Sequence, residues 1–330
     1  MDHTSNTRPR PPRDNETAAS NQPTSAPSRC RVRRKKITGV PPRGRTREKE
    51  RSMTRLGPIS ARIKRIPRRP GLGLAACATL VLVGACGSAE SSKAGTFFSS
   101  PQGMGNGVVG SYVTLDTAGN PTDVGVRMTA TALDGLPEKD TAPPKMTTLE
   151  LPEQASSTAF NHVMLNWNSQ GHRPEMLFGK PHFDIHFYMT DTAAVMAIAP
   201  GSPDFEARGA HLPEPRYVPK DYVPDPGPPA DRMVPAMGLH WLDGSEGLVP
   251  GKYDFKNTFI NGSWDGKYTF MEPMMTREWL LTKAPLRQDI KQPAAYQRSG
   301  YFPTVYSVNF DDSSNEYVIS LGGLTKRNAS

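Results

Sequence analysis

The sequence predicts a mainly β protein of antiparallel sheets in a barrel- or sandwich-like arrangement, with two or three short helices; α+β is the alternative. Three observations carry this expectation. From about residue 105 onward, short runs alternate polar and apolar residues, the period of a strand with one buried face. Turn residues separate the runs, most plainly Asp265-Gly266. The helical stretches are short and end on Pro-Gly or in polar loops.

Taken in order, "GSYVTLDTAGNPTDVGVRMTATALDGLP" contains two alternating runs around Ala118-Gly119-Asn120-Pro121 and predicts a hairpin. In "FNHVMLNWNSQGHRP", Val163, Leu165 and Trp167 share one strand face, with His162, Met164 and Asn166 on the other. "TDTAAVMAIAPG" predicts a short helix capped by Thr190 or Asp191. Residues 200–236 carry ten prolines and little periodicity; they read as an extended connection over the surface, as a subunit-contact arm or as a disordered insertion. "FINGSWDGKYTFMEPM" predicts a type I′ hairpin at Asp265-Gly266, with Trp264 opposite Lys267, Asn261 opposite Phe270 and Phe259 opposite Glu272. "TREWLLTKA" reads as a short helix, and "TVYSVNFDDSSNEYVISL" as a final hairpin.

The charge is unevenly distributed. Residues 1–85 hold 20 Lys/Arg against 5 Asp/Glu, a net of +15, and the remainder holds 20 against 27, a net of −7. The basic balance therefore belongs to the leader, and the expectation is no nucleic-acid partner. Within the leader, a basic stretch ending at Arg69 precedes an apolar run from Leu72 to Val83. That run is too short for a spanning helix, which needs ~20 residues, and suits a signal-peptide core. It ends in "VGAC", which resembles the lipobox of bacterial lipoproteins and implies lipidation at Cys86. The expected organisation is a basic disordered leader over 1–69, with Met53 a more natural start, then a signal core and lipobox over 70–86. A flexible tether (87–104) that includes the start of "GMGNGVVG" and a single β-rich domain (105–325) follow. The expected location is the outer face of the cell membrane, with the lipid bilayer as partner through the acyl chains.

The three cysteines, Cys30, Cys77 and Cys86, all precede the domain, so any ligand or nucleophile in it must be His, Asp, Glu, Ser or Tyr. "GKPHFDIHFYMT" concentrates such groups. Alternation places Phe183, Ile185, Phe187 and Met189 on one face and His182, Asp184, His186 and Tyr188 on the other. Residues four apart on a strand are separated by roughly 13 Å, too far for His182 and His186 to hold one ion through ~2 Å bonds. The workable pairs are His182 with Asp184, or Asp184 with His186, and further donors must come from elsewhere. His240 in "AMGLHWLD" ranks first, then Glu272 and His172, with His162 and Tyr188 as additional candidates. A thiolate-free set of this kind suits Zn, Mn or Fe. The competing reading is a hydrogen-bonded polar face in which Asp184 only orients histidines; a substrate surface without metal is a third. No nucleophile elbow is present, which disfavours Ser-His-Asp catalysis; in a metal-dependent enzyme Glu272 or Asp184 would be the general base.

The motifs "FNHVMLNWNSQGHRPEMLFGKPHFDIHFYM", "VPAMGLHW", "TFINGSWDGKYTFMEPMMT" and "YFPTVYSVNF" together resemble the TTHB-like domain, a family of uncharacterised exported bacterial and archaeal proteins. The family's PHFDxHFY, MGxHW and EPMxT elements match at Pro181–Tyr188, Met237–Trp241 and Glu272–Thr276, whereas Ser169 replaces the proline of its "WNPxGH". The resemblance implies one β-rich domain that assembles as a homo-oligomer, and no established activity. The functional expectation is a membrane-anchored lipoprotein binding a transition metal through a His/Asp cluster. The alternatives are a metal-dependent enzyme acting on a small polar substrate, and a structural homo-oligomer without metal.

Overall fold

The computed structural model describes residues 93–140, 145–227 and 232–330. The leader, the signal core, Cys86 and the first part of the tether lie outside these residues. Among the described residues, no helix is long and apolar enough to cross a membrane.

Two antiparallel sheets face one another. The first takes β1 (Gly95–Phe98), β2 (Gln102–Met104), β3 (Gly107–Leu115) and β4 (Pro121–Thr129) from the start of the domain. The middle of the chain builds the second: β5 (Met146–Glu150), β6 (His162–Asn168), β7 (His182–Tyr188), β8 (Tyr222–Pro224), β9 (Met233–Val234), β10 (Gly238–Asp243), β11 (Asn257–Trp264) and β12 (Lys267–Thr276). The chain then returns to the first sheet with β13 (Leu286–Asp289), β15 (Val305–Asp311) and β16 (Glu316–Gly322), while β14 (Gly300–Phe302) pairs with β17 (Thr325–Arg327). The orders are β1-β3-β4-β16-β15-β13, with β2 on β3, and β5-β6-β7-β12-β11-β10-β8, with β9 on β10. Among the described residues four short helices decorate them: α1 (Glu175–Phe178), α2 (Thr192–Met196), α3 (Phe205–Ala210) and α4 (Arg277–Leu281). The protein is thus mainly β and sandwich-like, and the sheets do not close into a barrel.

The predicted turns have the chemistry expected of them. Asp116 accepts hydrogen bonds from the amides of Ala118 and Asn120 and folds the β3–β4 turn. Asp265 and Gly266 have φ of 51° and 73°, as a type I′ turn requires. Asp191 caps α2 by accepting from the Ala194 amide, and Thr276 caps α4 by accepting from the Trp279 amide. The apolar alternation is realised between the sheets. Val124, Val126 and Met128 of β4, Ile319 and Leu321 of β16, Val163 and Leu165 of β6, and Phe183, Ile185 and Phe187 of β7 share one core.

Three expectations require correction. The end of the expected tether, with the first residues of "GMGNGVVG", is structured: β1 and β2 pair along β3, which would otherwise be an open sheet edge. Residues 200–236 are not featureless, since they contain α3 and add β8 and β9 to the edge strand β10. The β11–β12 register holds at Trp264 opposite Lys267 and then slips by one residue at a bulge beyond Ser263–Tyr268. Gly262 therefore faces Phe270, Asn261 faces Met271 and Ile260 faces Glu272, in place of Asn261–Phe270 and Phe259–Glu272. A one-residue slip exchanges the faces of everything beyond it. Glu272 is accordingly on the side of Phe270 and Ile260, while Tyr268 and Phe259 lie on the other.

Candidate metal centre

The face of the second sheet turned away from the core is built in cross-strand rows. Asn168 of β6 stands beside His182 of β7, and Asn166 stands beside Asp184, which faces Met274 of β12. Met164 stands beside His186, whose row continues to Glu272 and Ile260. His162 stands beside Tyr188, followed by Phe270, Gly262 and His240 of β10. The alternation of "HFDIHFY" thus aligns polar groups on one face, yet every residue of β7 is buried. Leu177, Phe178 and Phe255 roof one end of this face, and Val195 and Ala236 roof the other.

Under this roof the donors separate into two triads, each with its ligating atoms mutually within 4.8 Å: His172, His182 and Asp184, and His186, His240 and Glu272. His240, the first-ranked partner from sequence, stands with Glu272 and His186 and not beside Asp184. The role beside Asp184 belongs to His172. Gly171 (φ 72°) folds the chain after β6 so closely to the Phe178 carbonyl that a Cβ would overlap it, and this returns His172 over β7. Gly262 has a similar role in the second triad. The Phe270 ring occupies the place a side chain there would take, with its centroid 4.9 Å from that of His186 and 5.5 Å from that of His240.

In the first triad, His182 Nε2 is 3.0 Å from Asp184 Oδ1 and His172 Nε2 is 3.3 Å from Asp184 Oδ2. Both rings use Nδ1 against a backbone carbonyl, that of Lys180 at 2.6 Å and that of Arg173 at 2.7 Å. A carbonyl only accepts, so each Nδ1 carries a proton and each ring turns its Nε2 toward the carboxylate. Asn168 Nδ2 donates to Asp184 Oδ2 at 2.6 Å and approaches His182 Nε2 at 3.3 Å. Asp184 Oδ1 is buried without a hydrogen-bond partner. Burial opposes ionisation of Asp184, but the charges and hydrogen bonds of His182 and His172 outweigh it and hold the carboxyl well below its usual range. Burial also acts against the His172 imidazolium, and Asp184 more than offsets this, so its pKa is raised.

The second triad is electrostatically different. His186 Nε2 lies 3.3 Å from Glu272 Oε1, and His240 Nε2 lies 3.6 Å from Oε2. His186 Nδ1 donates to the Met164 carbonyl at 3.2 Å. His186 Nε2 and Glu272 Oε2 are buried without hydrogen-bond partners. Burial pushes His186 down to about 4. Burial and then the neighbouring His186 and His172 push His240 to about 3. Burial, reinforced by the charge of Asp184, drives the Glu272 carboxyl well above its usual value. Burial thus pushes all three groups toward their neutral forms, and no cationic side chain stands among them to favour the ionised carboxyl.

Two candidates stand outside the triads. His162 stacks on Tyr188 with ring centroids 5.0 Å apart, and burial lowers its pKa. The Tyr188 hydroxyl donates to the Ala236 carbonyl at 2.8 Å and is thereby committed. Two residues beside the site were not anticipated. Asn168 is visible in the sequence only as the next alternate residue after Asn166. Asp225, whose amide donates to the His240 carbonyl at 2.8 Å, carries a buried unpartnered Oδ1. Burial raises the Asp225 pKa, with the His172 charge opposing; nothing in its Pro-rich surroundings marks it. A cavity of about 650 Å³ is lined by Asn261, Tyr268 and Met271, on the other face of β11 and β12, and by none of the six triad residues.

Fold and face together define an antiparallel β-sandwich with two groups of three side chains that could each hold a metal ion. Residues 116–167 match the TTHB210-like family, described as hypothetical protein TTHB210. The matched stretch runs from the β3–β4 turn to Trp167 and supports a TTHB-like family. It includes His162 and ends before β7, β10 and β12. No curated protein and no solved structure matches the chain.

Proposed function

We propose that this domain binds a divalent transition metal, Zn, Mn or Fe, and works as an extracytoplasmic metal-binding lipoprotein anchored through Cys86. Its role would be sensing, scavenging or stress-related binding. The observation that carries the metal reading is the His186/His240/Glu272 triad: two imidazole Nε2 atoms face one buried carboxyl group, with unpartnered atoms on both sides. The spacing supports it further. Ligands bonded at ~2.0–2.1 Å around a tetrahedral ion are about 3.3 Å from one another, and the observed nitrogen–oxygen separations are 3.3 and 3.6 Å. His186 also donates Nδ1–H to a backbone carbonyl, the outer contact that orients ligating histidines. Oxygen and nitrogen donors without thiolate favour the harder divalent ions over Cu(I).

The anchoring part of the reading rests on the basic stretch, the short apolar run and "VGAC". The resemblance adds assembly into a homo-oligomer, which sedimentation of the soluble domain tests. A metal-dependent enzyme is the second reading. It is favoured by the open coordination position that three protein ligands leave, and it is weakened by the 650 Å³ cavity lying on the opposite face of the sheet.

The deciding experiment is elemental analysis of purified protein after loading and extensive dialysis, combined with thermal unfolding with and without a chelator. The expected result is stoichiometric metal and a lower melting temperature after chelation. Absence of bound metal, with a melting curve indifferent to chelation, overturns the proposal.

A further inference from the structure

We infer that the chain carries two metal ions side by side, one in each triad, with no ligand in common. The inference rests on the metal reading above and extends it to His172, His182 and Asp184.

In the first triad two imidazoles converge on one carboxylate. His182 spends its Nδ1 proton on the Lys180 carbonyl, and the Asn168 amide nitrogen, itself a donor, approaches Nε2. The Nε2 atom stands 3.0 Å from Asp184 Oδ1, which is buried and without a hydrogen-bond partner. His172 repeats the pattern, with Nδ1 on the Arg173 carbonyl and Nε2 3.3 Å from Asp184 Oδ2. Two ring nitrogens converging on one carboxylate at these separations match the ligand–ligand distance, about 3.3 Å, around an ion with ~2.0–2.1 Å bonds. All three rings with an Nδ1–carbonyl contact, His172, His182 and His186, thus turn the same nitrogen, Nε2, toward a carboxylate.

Geometry keeps the two sites separate. Asp184 and His186 are successive residues on one strand face, so their positions differ by roughly 7 Å along β7. The bulge in β12 and the absence of a side chain at Gly262 bring His240 to Glu272 and leave Asp184 to His172. Both sites reach the edge of the roof, the first through His172, whose side chain is 37% exposed, and the second through His240, at 14%. These edge ligands allow each site to be removed without disturbing β7.

The test measures metal per chain by elemental analysis, and the absorption of the Co²⁺-loaded protein, for the full chain and for His172→Ala, His240→Ala and the double variant. Melting curves verify that each variant is folded. The expected result is two ions per chain in the unaltered protein, one in each single variant and none in the double variant, with the two single-variant Co²⁺ spectra adding up to that of the parent. One ion per chain in the unaltered protein overturns the two-ion inference while leaving the metal reading intact. The same holds if His240→Ala abolishes all binding while His172→Ala changes nothing, because the first triad is then an imidazolium–carboxylate pair. No metal in the unaltered protein overturns both. Should a variant fail to fold, the stoichiometry of the unaltered chain still decides between one ion and two.

Discussion

Gly262→Ala probes the packing that admits His240 to Glu272. A Cβ at this position overlaps the Phe270 ring, whose side chain is fully buried against Tyr188 and the two imidazoles of the second triad. The backbone here is ordinary strand, so the whole effect comes from overlap and not from an unfavourable φ. Forcing an extra carbon into a packed core costs about 1–3 kcal/mol. In a domain of this size each kcal/mol moves the melting temperature by ~2–4 °C, so a cost near the middle of the range lowers it by ~4–8 °C. Urea unfolding should give a lower midpoint at unchanged slope, the sign of altered stability and not of an altered unfolded state. Displacing the ring also moves the wall between His186 and His240, so zinc affinity should fall with stability. Phe270→Leu relieves the overlap at the cost of a cavity. The double variant should therefore be more stable than the sum of the single effects predicts, by about 1 kcal/mol or more. If Gly262→Ala melts with the parent and the two substitutions are additive, the ring does not occupy the space assigned to it and the reasoning fails.

Other outcomes follow from the same structure. Leu165→Ala, at a fully buried position between the sheets, should cost about 2–5 kcal/mol in urea unfolding, with little change in metal stoichiometry. Thr276→Ala removes the cap of α4 and should lower stability by about 0.5–2 kcal/mol; Thr276→Ser should recover most of it. Asp311, hydrogen-bonded by Ser313 and then by Arg127, has its carboxyl held below the usual carboxylate range. Because the folded pKa is depressed, this contribution is present above the unfolded value near 3.9 and is lost as pH falls toward the folded one. The stability difference between Asp311→Asn and the parent should therefore be seen at neutral pH and shrink in strong acid. An unchanged difference at pH 2 would contradict it.

The strands were legible because their period is local. "HFDIHFY" specifies which residues share a face whatever packs on it, and Asp265-Gly266 specifies a turn because few residues accept its two positive φ values. The separation of His182 from His186 followed from strand rise alone, and the two rings fall in different triads. The register beyond Ser263 was not legible. No residue announces the bulge, since its benefit lies in the pairing of Glu272, Phe270 and Met274 with β7 and β11. Asp225 was hidden for a related reason: its relation to His240 is a contact across neighbouring edge strands.

The sequence by itself determined a β-rich chain, the turns between its strands and a polar face on β7 with His, Asp and His at alternate positions, because side-chain alternation and turn chemistry are properties of adjacent residues. Only the tertiary structure decided that this face is roofed and that its donors divide into two groups. That division depends on a one-residue slip between β11 and β12, on a glycine whose missing side chain Phe270 replaces, and on a loop that folds His172 back over Asp184. These are contacts between residues distant in the chain, and no local pattern encodes them.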